Sequence, residues 1–201
     1  MSVGSSHQVE NTKMTEFINY NTSSGAISYT NAYHCSGQGI IDLIKDVKHP
    51  TGIEIGSDVG ETASYLLETR KDLYLYCIDP YMTYIDWNGN NLNDREDVLN
   101  KFMTTMKPYK DRYKLLRMKS DEAVIEFVNE SVDFVFIDGL HEYVQTLRDC
   151  KNYWPIVKKG GLLCGHDYKT IPGVNQSVDD FSIQVNKQVL TTVNDVWYYF
   201  K

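Results

Sequence analysis

Short apolar runs alternate with stretches of helical periodicity from residue 51 onward. The runs TGIEIGS, LYLYCID, YKLLRMKS, VDFVFID and GGLLCGHD have the length and the β-branched or aromatic content of strands. VDFVFID is almost continuously apolar, as expected of a strand that is covered on both faces. Between the runs, apolar residues recur at helical spacing, as at Tyr143, Leu147, Cys150 and Trp154. This alternation predicts parallel strands joined by right-handed helical crossovers.

The helices are predicted at residues 37–47, 60–70, 94–107, 121–129, 143–154 and 173–186. In the fourth of them, Ala123, Ile125 and either Phe127 or Val128 would form the apolar face. A Gly-Gly turn is expected to introduce the strand GGLLCGHD.

The segment QVLTTVNDVWYYF predicts two strands around Asn194-Asp195, a connection short enough for an antiparallel hairpin. With the five preceding strands, this predicts a doubly wound α/β domain whose seven-stranded sheet is mostly parallel and has an antiparallel last strand. Residues 35–201 would form this domain, and the polar residues 1–34 would form an N-terminal arm or lid. The aromatic last strand would be an interior strand or part of a homodimer face.

Composition and charge exclude several classes of partner. The net charge of −7 argues against binding to a nucleic-acid backbone, which requires a basic stripe. No apolar run approaches the roughly 18 residues that span a bilayer, and the N-terminus lacks the regions of a secretory signal. Cys35, Cys77, Cys150 and Cys164 show neither a C-x-x-C pair nor zinc spacing, which favours reduced thiols in a cytoplasmic protein.

Polar residues, most of them acidic, follow the predicted strands. In doubly wound sheets, ligands bind beyond the carboxyl ends of the strands, near the point where the strand order reverses. An Asp after a strand is also commonly a helix cap or a turn residue, so each one alone has a purely structural alternative. Their convergence on one rim favours a ligand site. The residues are Glu54, Gly56, Asp79, Ser120, Asp121, Asp138, His166 and Asp167.

The first turn, EIGSDVGETA, separates two glycines by three residues. It lacks the G-x-G-x-x-G spacing of dinucleotide sites, and Asp58 and Glu61 would repel a pyrophosphate at the N-terminus of the following helix. A zwitterion or a cation is more compatible with this turn. Asp79 is placed to accept hydrogen bonds from a ribose diol, a feature that serves NAD and adenosyl ligands alike.

The segments GIEIGSDVGETA, CIDPY, MKSDEA, FVFIDGLHEYVQTLRDC and PIVKKGGLLCGHDY resemble class I S-adenosylmethionine-dependent methyltransferases. The resemblance is to the branch of small-molecule and sugar O-methyltransferases, which includes macrocin-type and catechol-type enzymes. It implies S-adenosylmethionine as cofactor, with Thr62 at its carboxylate, Asp79 at its ribose, and Ser120 with Asp121 at its adenine. One departure is Asp58, where many members carry a glycine. The implied cofactor-binding residues are Glu54, Gly56, Ser57, Gly60, Thr62, Asp79, Ser120, Asp121 and Asp138.

The same resemblance implies a catalytic unit, His141 with Asp138, in FIDGLHEY. Methyl transfer to a hydroxyl needs donor and acceptor in line and a base that removes a proton, a role that suits a histidine. In catechol-type relatives the position of Asp138 binds a divalent cation, and macrolide-sugar relatives add a later aspartate, here Asp167. Mg²⁺ on Asp138 and Asp167 would lower the pKa of a bound hydroxyl. Alternatively, Asp138 only contacts the cofactor or caps a helix, His141 is a surface residue, and His166 is structural.

The sequence says least about where the molecule that accepts the methyl group would bind. Tyr81, Tyr84 and Trp87, in the long connection DPYMTYIDWNGNN, are expected mainly to pack as covers. The leading hypothesis is an S-adenosylmethionine-dependent O-methyltransferase acting on a small hydroxylated acceptor, a sugar or a phenol. An NAD-dependent dehydrogenase is permitted by Asp79 but disfavoured by the glycine turn. A non-catalytic module that binds S-adenosylmethionine is the other alternative.

Overall fold

A computed structural model of the protein describes residues 36–86, 88–93 and 95–201. Its strands are β1 Thr51–Ile55, β2 Tyr74–Ile78, β3 Tyr84–Ile85, β4 Asn91–Leu92, β5 Tyr113–Leu116, β6 Val132–Ile137, β7 Val157–Gly165, β8 Leu190–Thr191 and β9 Trp197–Phe200. Its helices are α1 Gly37–Leu43, α2 Glu61–Thr69, α3 Arg95–Met106, α4 Ser120–Ala123, α5 Tyr143–Tyr153 and α6 Pro172–Val185.

Seven of the strands form one sheet in the order β5-β2-β1-β6-β7-β9-β8. The neighbours from β5 to β7 are parallel, whereas β9 runs antiparallel to both β7 and β8. The predicted doubly wound α/β fold, mostly parallel with an antiparallel last strand, is confirmed. Because the strand order reverses between β1 and β6, the loops after these two strands open a crevice at the carboxyl edge of the sheet.

Two apolar layers cover the faces of the sheet. Along β6, Val135 packs in one layer, whereas Phe134 and Phe136 pack in the other, as the period of two along a strand requires. The first layer includes buried residues of α5 and α6, such as Tyr153 and Phe181. The second layer includes buried residues of α1, α2 and α3, such as Ile40, Leu66 and Phe102.

The helix predicted at residues 121–129 is shorter than expected. The helix α4 ends at Ala123, and a 3-10 turn, Val124–Glu126, follows it. Ala123 is buried, and Phe127 rather than Val128 packs against the core. Ile125 is 83% exposed, so the prediction that it belongs to the apolar face is wrong. The 3-10 turn winds more tightly than an α-helix, and the chain then becomes extended at Phe127, so the helical spacing is lost.

Two connections also differ from expectation. Gly160 and Gly161 lie inside β7, where its register against β6 shifts, rather than in a turn before the strand. Gly160 has a φ of +77°, which explains why the irregularity falls on a glycine. The long connection after β2 contains an antiparallel hairpin of β3 and β4 that was not predicted. Strands of two residues are too short to show an alternating pattern.

Some predictions lie outside the described residues, namely the arm at residues 1–34, Cys35 and Trp87. Cys77, Cys150 and Cys164 are buried and unpaired thiols. The aromatic strand β9 is interior and β8 forms the edge of the sheet beside it. The homodimer stays a prediction. Within the described residues, no helix combines the length and the apolar character needed to cross a membrane.

Candidate active site

The crevice lies where the ends of β1 and β6 meet. Gly56 follows β1 with a φ of +88°, and its N–H donates to the carbonyl of Ile78 at 2.8 Å. Asp138 follows β6, and its N–H donates to the carbonyl of Ile55 at 2.8 Å. A Cβ on Gly56 would stand 2.1 Å from the carbonyl oxygen of Asp138, so only glycine allows this approach.

Glu54 and Ser57 present unsatisfied polar atoms at this turn. Glu54 is 1% exposed, and neither its Oε2 nor the Oγ of Ser57 has a partner in hydrogen-bonding geometry among the described residues. Burial raises the pKa of Glu54 to about 8, against a smaller opposing effect of the neighbouring Ser57. Unpaired buried polar atoms are costly, so their presence in a cavity wall favours a ligand there. The cavity, of about 150 Å³, is lined by Glu54, Gly56, Ser57, Asp58, Thr62 and Asp138, among others.

Asp79 follows β2 and is held by two backbone donors. The N–H of Asp58 donates to its Oδ2 at 3.0 Å, and the N–H of Tyr81 donates to its Oδ1 at 2.9 Å. Tyr81 is buried, and its hydroxyl donates to the carbonyl of Asp58 at 2.8 Å. Burial raises the pKa of Asp79. Each carboxylate oxygen keeps a lone pair and so has the capacity to accept one more hydrogen bond.

The side chain of Asp58 reaches the start of α3. Its Oδ1 lies 2.9 Å from Nη2 of Arg95, whose side chain is only 11% exposed. The Arg95 guanidinium also lies 5.6 Å from the centroid of the Tyr84 ring in the hairpin. Asp58 has a φ of +42°, a region that favours glycine, which fits the glycine that many members of the resembled family carry here. Arg95 therefore ties α3 and the hairpin to the first turn.

Ser120 and Asp121, at the start of α4, are bonded to α5. The Nε2 of Gln145 donates to Ser120 Oγ at 3.2 Å. Asp121 accepts from Nη1 of Arg148 at 2.9 Å and from Nδ2 of Asn152 at 3.2 Å. Both side chains are thus satisfied within the protein, and their contact with adenine stays a prediction.

Four titratable side chains meet at the ends of β6 and β7. The Nε2 of His141 lies 3.3 Å from Asp138 Oδ1 and 3.0 Å from Asp167 Oδ2. The Nδ1 of His166 lies 3.1 Å from Asp167 Oδ1 and 4.0 Å from Asp138 Oδ1. Donor atoms of Asp138, His141 and Asp167 all lie within 4.8 Å of one another, close enough to share a cation.

The carboxylates favour charged imidazoles in this cluster. Burial alone would lower the pKa of His141, but hydrogen bonds to Asp138 and Asp167 raise it to about 9. Burial likewise opposes the charged form of His166, yet Asp167 and Asp138 raise its pKa to about 9. Although burial acts in the opposite direction, the two imidazoles hold the pKa of Asp167 well below its usual range.

A second cavity, of about 430 Å³, opens beside His141. It lies between the β3–β4 hairpin and the N-terminal ends of α5 and α6. Gly173 allows α6 to approach closely, because a Cβ on it would stand 3.2 Å from the carbonyl oxygen of His141. The lining includes Asp86, His141, Glu142, Tyr143, Ile171 and Pro172.

Most of the predicted site residues come together in the structure. Glu54, Gly56, Ser57, Thr62 and Asp138 line the first cavity, Asp79 supports its turn, and Asp138, His141 and Asp167 meet in the cluster. The glycine at position 60 is explained by its packing against α3 rather than by contact with a ligand. With a φ of +83°, it faces α3, where a Cβ would stand 3.0 Å from Phe102 and 3.1 Å from Met106.

The sequence placed His166 among the strand-end residues but gave it no role in the site, and it did not identify Arg95. The feature of the sequence that points to His166 is its position directly before Asp167, at the end of β7. Arg95 is 37 residues from Asp58, and no pattern in the sequence pairs them.

Comparison with known proteins agrees with this geometry. A family model described as a methyltransferase domain matches residues 53–168, more than half of the chain. The chain belongs to this family. The matched part of the methyltransferase domain runs from β1 through Asp167, so it includes the first turn and the Asp138–His141 contact. The predicted resemblance to class I S-adenosylmethionine-dependent methyltransferases is confirmed.

One curated relative is an uncharacterized protein of Acanthamoeba polyphaga mimivirus, 29% identical over 147 residues, or 68% of this chain and 62% of the relative. The chain therefore spans about three fifths of the length of that relative. Among solved structures, the O-methyltransferase NovP has a TM-score of 0.62 at 16% identity, over 82% of this chain and 77% of NovP.

A Staphylococcus aureus protein provisionally named caffeoyl-CoA O-methyltransferase has a TM-score of 0.61 at 16% identity, over 81% of this chain and 80% of its own. A precorrin 8w decarboxylase of Methanobacterium thermoautotrophicum has a TM-score of 0.61 at 13% identity, over 82% of this chain and 89% of its own. At these identities, the likeness to the three solved structures concerns the fold alone.

Proposed function

We propose that the protein transfers a methyl group from S-adenosylmethionine to a hydroxyl oxygen of a small acceptor, a sugar or a phenol. The observation that carries the proposal is that Asp138 lines one cavity, His141 lines a second one, and the two side chains lie 3.3 Å apart. One cavity contains the buried, unsatisfied carboxyl of Glu54, and the other opens beside His141. A donor in the first and an acceptor in the second would meet at this contact.

The donors and acceptors of the first cavity fit S-adenosylmethionine. Glu54 Oε2 and Ser57 Oγ would complete their hydrogen bonding on its amino-acid part, with Thr62 near the carboxylate. Asp79 would accept the ribose hydroxyls, because both of its oxygens keep a lone pair. The adenine would lie towards Ser120. When bound, the cofactor supplies a methyl group made electrophilic by the positive sulfonium.

His141 is the proposed base. It lines the larger cavity, where the acceptor hydroxyl would lie, and Asp138 and Asp167 orient its Nε2. The two carboxylates raise the pKa of His141 to about 9, so the charged imidazole predominates at neutral pH. Only the neutral form, whose share grows as the pH rises towards 9, takes a proton. This chemistry needs the histidine within hydrogen-bonding reach of the acceptor, which the position at the cavity wall permits.

Asp138 and Asp167 are the proposed ligands of a divalent ion such as Mg²⁺. Their donor atoms lie close enough to share an ion, and carboxylate oxygens suit it. When bound, the ion supplies a positive charge that lowers the pKa of a coordinated hydroxyl.

An oxygen acceptor is favoured by His141 and by the names of two structural neighbours, NovP and the Staphylococcus aureus protein. A decarboxylase shares the fold, so the acceptor atom is argued from the site rather than from the fold. The carboxylates of Asp58 and Glu61 at the first turn disfavour the pyrophosphate of NAD.

The test is transfer of a labelled methyl group from S-adenosylmethionine to a panel of sugars and phenols. We expect His141→Gln to lower kcat about 10²–10⁴-fold, with the affinity for S-adenosylhomocysteine unchanged. His49→Asn, at the exposed loop before β1, is the control and leaves the rate unchanged. Binding of S-adenosylmethionine without turnover on any acceptor would favour a non-catalytic module. Binding of NAD in its place would favour a dehydrogenase.

A further inference from the structure

One face of α5 holds the start of α4 through side-chain hydrogen bonds. Asp121 accepts from Arg148 and Asn152, at 2.9 Å and 3.2 Å. The hydroxyl of Tyr153 donates to the carbonyl of Ser120 at 2.8 Å. Helical residues three and four apart share a face, which explains the spacing of these contacts. The residues of this face are Gln145, Arg148, Asp149, Asn152 and Tyr153.

Asp149 is the buried member of this face, and the proposed methyl transfer does not use it. Its side chain is 1% exposed. Its Oδ1 accepts from Nε2 of Gln145 at 3.1 Å, and its carboxylate also accepts from the hydroxyl of Ser120. Burial raises the pKa of Asp149 to about 7, against the opposing effect of these two hydrogen bonds. A buried carboxylate is costly even when it is hydrogen-bonded, so its presence favours a role beyond packing.

The contacts of Gln145 show which group donates to which. Arg148 has only donors, and its Nη1 lies 3.4 Å from Oε1 of Gln145, so the amide nitrogen of Gln145 is directed at Ser120 and Asp149. That nitrogen donates to Ser120 Oγ at 3.2 Å and to Asp149 at 3.1 Å. An ionised carboxylate only accepts, so the single hydrogen of the Ser120 hydroxyl goes to Asp149. Ser120 Oγ is left with one lone pair and without a hydrogen for a ligand.

Asp121 presents the same kind of group beside Ser120. Each of its carboxylate oxygens accepts one hydrogen bond from α5 and keeps a lone pair. These two side chains at the start of α4 therefore accept hydrogen bonds but do not donate them. The 6-amino group of adenine is a donor, whereas a 6-oxo purine has a carbonyl oxygen at that position. A 6-oxo group facing these acceptors would stay without a hydrogen bond, which is costly.

We propose that Asp149 is a positioning residue that makes the cofactor site selective for a 6-amino purine, because together with Gln145 it keeps the Ser120 hydroxyl a hydrogen-bond acceptor. The inference rests on the proposed function, which places the adenine of S-adenosylmethionine towards Ser120. Asp149 itself does not touch the cofactor. It acts through the orientation of one hydroxyl hydrogen.

The test measures ligand binding without turnover, at pH 8.5, where the carboxylate of Asp149 is ionised. Calorimetry compares S-adenosylhomocysteine with S-inosylhomocysteine, which has an oxygen in place of the 6-amino group. We expect the wild type to prefer the adenosyl compound by about tenfold or more. Asp149→Leu frees the hydrogen of Ser120 for the ligand and should lower that preference about fivefold. Asp149→Asn, which keeps one acceptor oxygen, should give an intermediate value, and Asp111→Asn, in the exposed turn before β5, is the control.

A double-mutant cycle with Ser120→Ala separates this role from a purely structural one. If Asp149 acts through the Ser120 hydroxyl, Asp149→Leu changes the preference in the wild type but not in the Ser120→Ala background. A wild type without the preference, an Asp149→Leu protein that keeps it, or an equal change in both backgrounds would overturn the proposal. Thermal melting verifies folding, and if Asp149→Leu does not fold, the same comparison is made with Asp149→Asn. A folded wild type that does not bind S-adenosylhomocysteine would instead contradict the proposed function.

Discussion

A Cβ on Gly56 would stand 2.1 Å from the carbonyl oxygen of Asp138. This contact joins the end of β1 to the end of β6, where the N–H of Asp138 already donates to the carbonyl of Ile55. The turn that would hold the cofactor and the residue that contacts His141 therefore share one backbone interface. The geometry of the proposed cofactor site and the position of the proposed base, His141, both depend on this interface.

Gly56→Ala is expected to disrupt that interface. The added methyl group meets backbone atoms that cannot rotate away, and the φ of +88° disfavours any side chain, so we expect a loss of about 2–4 kcal/mol in the free energy of unfolding. Affinity for S-adenosylhomocysteine should fall with it. Urea denaturation and calorimetry measure the two effects.

Gly160→Ala is the matched control for backbone strain. Gly160 has a φ of +77°, but a Cβ there meets nothing within 4 Å, so the cost should be about 1 kcal/mol and the affinity should not change. Equal losses in the free energy of unfolding of the two variants would show that the clash with Asp138 adds nothing to the cost of the backbone strain.

Arg95→Ala is expected to weaken cofactor binding more than turnover. Arg95 is bonded to Asp58, whose N–H donates to Asp79, so its loss should loosen the carboxylate that would hold the ribose. We expect the KM for S-adenosylmethionine to rise about fivefold with little change in kcat, the scale of one ion pair. Steady-state kinetics provide the comparison, with Lys71→Ala, from the exposed Glu68–Lys71 pair, as the control.

A double-mutant cycle of Arg95→Ala and Asp58→Asn isolates this pair. If the ion pair is responsible, the second substitution should add little to the first. Fully additive effects on KM would mean that Arg95 acts elsewhere.

Glu54→Gln is expected to stabilise the free protein while weakening cofactor binding. Burial raises the pKa of Glu54 from 4.5 to about 8, so the folded protein keeps a proton that the unfolded chain releases. Wild-type stability due to this group is therefore fully present below pH 4.5 and is lost as pH rises towards 8. Gln cannot ionise, so the advantage of the variant should grow across that window by at most about 1.4 kcal/mol per pH unit.

Chemical denaturation at several pH values checks this prediction. A constant difference between Glu54→Gln and the wild type from pH 5 to pH 8 would mean that Glu54 is already ionised in the free protein. The same variant should bind S-adenosylhomocysteine more weakly above pH 8, where the ionised carboxylate of the wild type offers two acceptor oxygens and the amide offers only one.

The sequence predicted the sheet because each strand is a local pattern. VDFVFID is apolar at almost every position, and it becomes β6, buried on both faces. The acidic strand ends followed from the same pattern, since parallel strands bring their carboxyl ends to one edge. Asp138, His141 and Asp167 meet for this reason.

Features that depend on three-dimensional contacts could not be predicted in this way. Ile125 has helical spacing, but the 3-10 turn after α4 leaves it exposed. Arg95 finds Asp58 only because α3 begins beside the first turn. His166 looks structural in sequence, and its orientation towards the carboxylates emerges from the pairing of β7 with both β6 and β9.

The most direct measurement of the central claim is a crystal structure of the protein with S-adenosylhomocysteine. The account predicts the amino-acid part of the ligand against Glu54 and Ser57, the ribose hydroxyls on Asp79, and the sulfur directed towards the cavity beside His141. A ligand bound away from the turn at Gly56, or ribose hydroxyls without contact to Asp79, would contradict it.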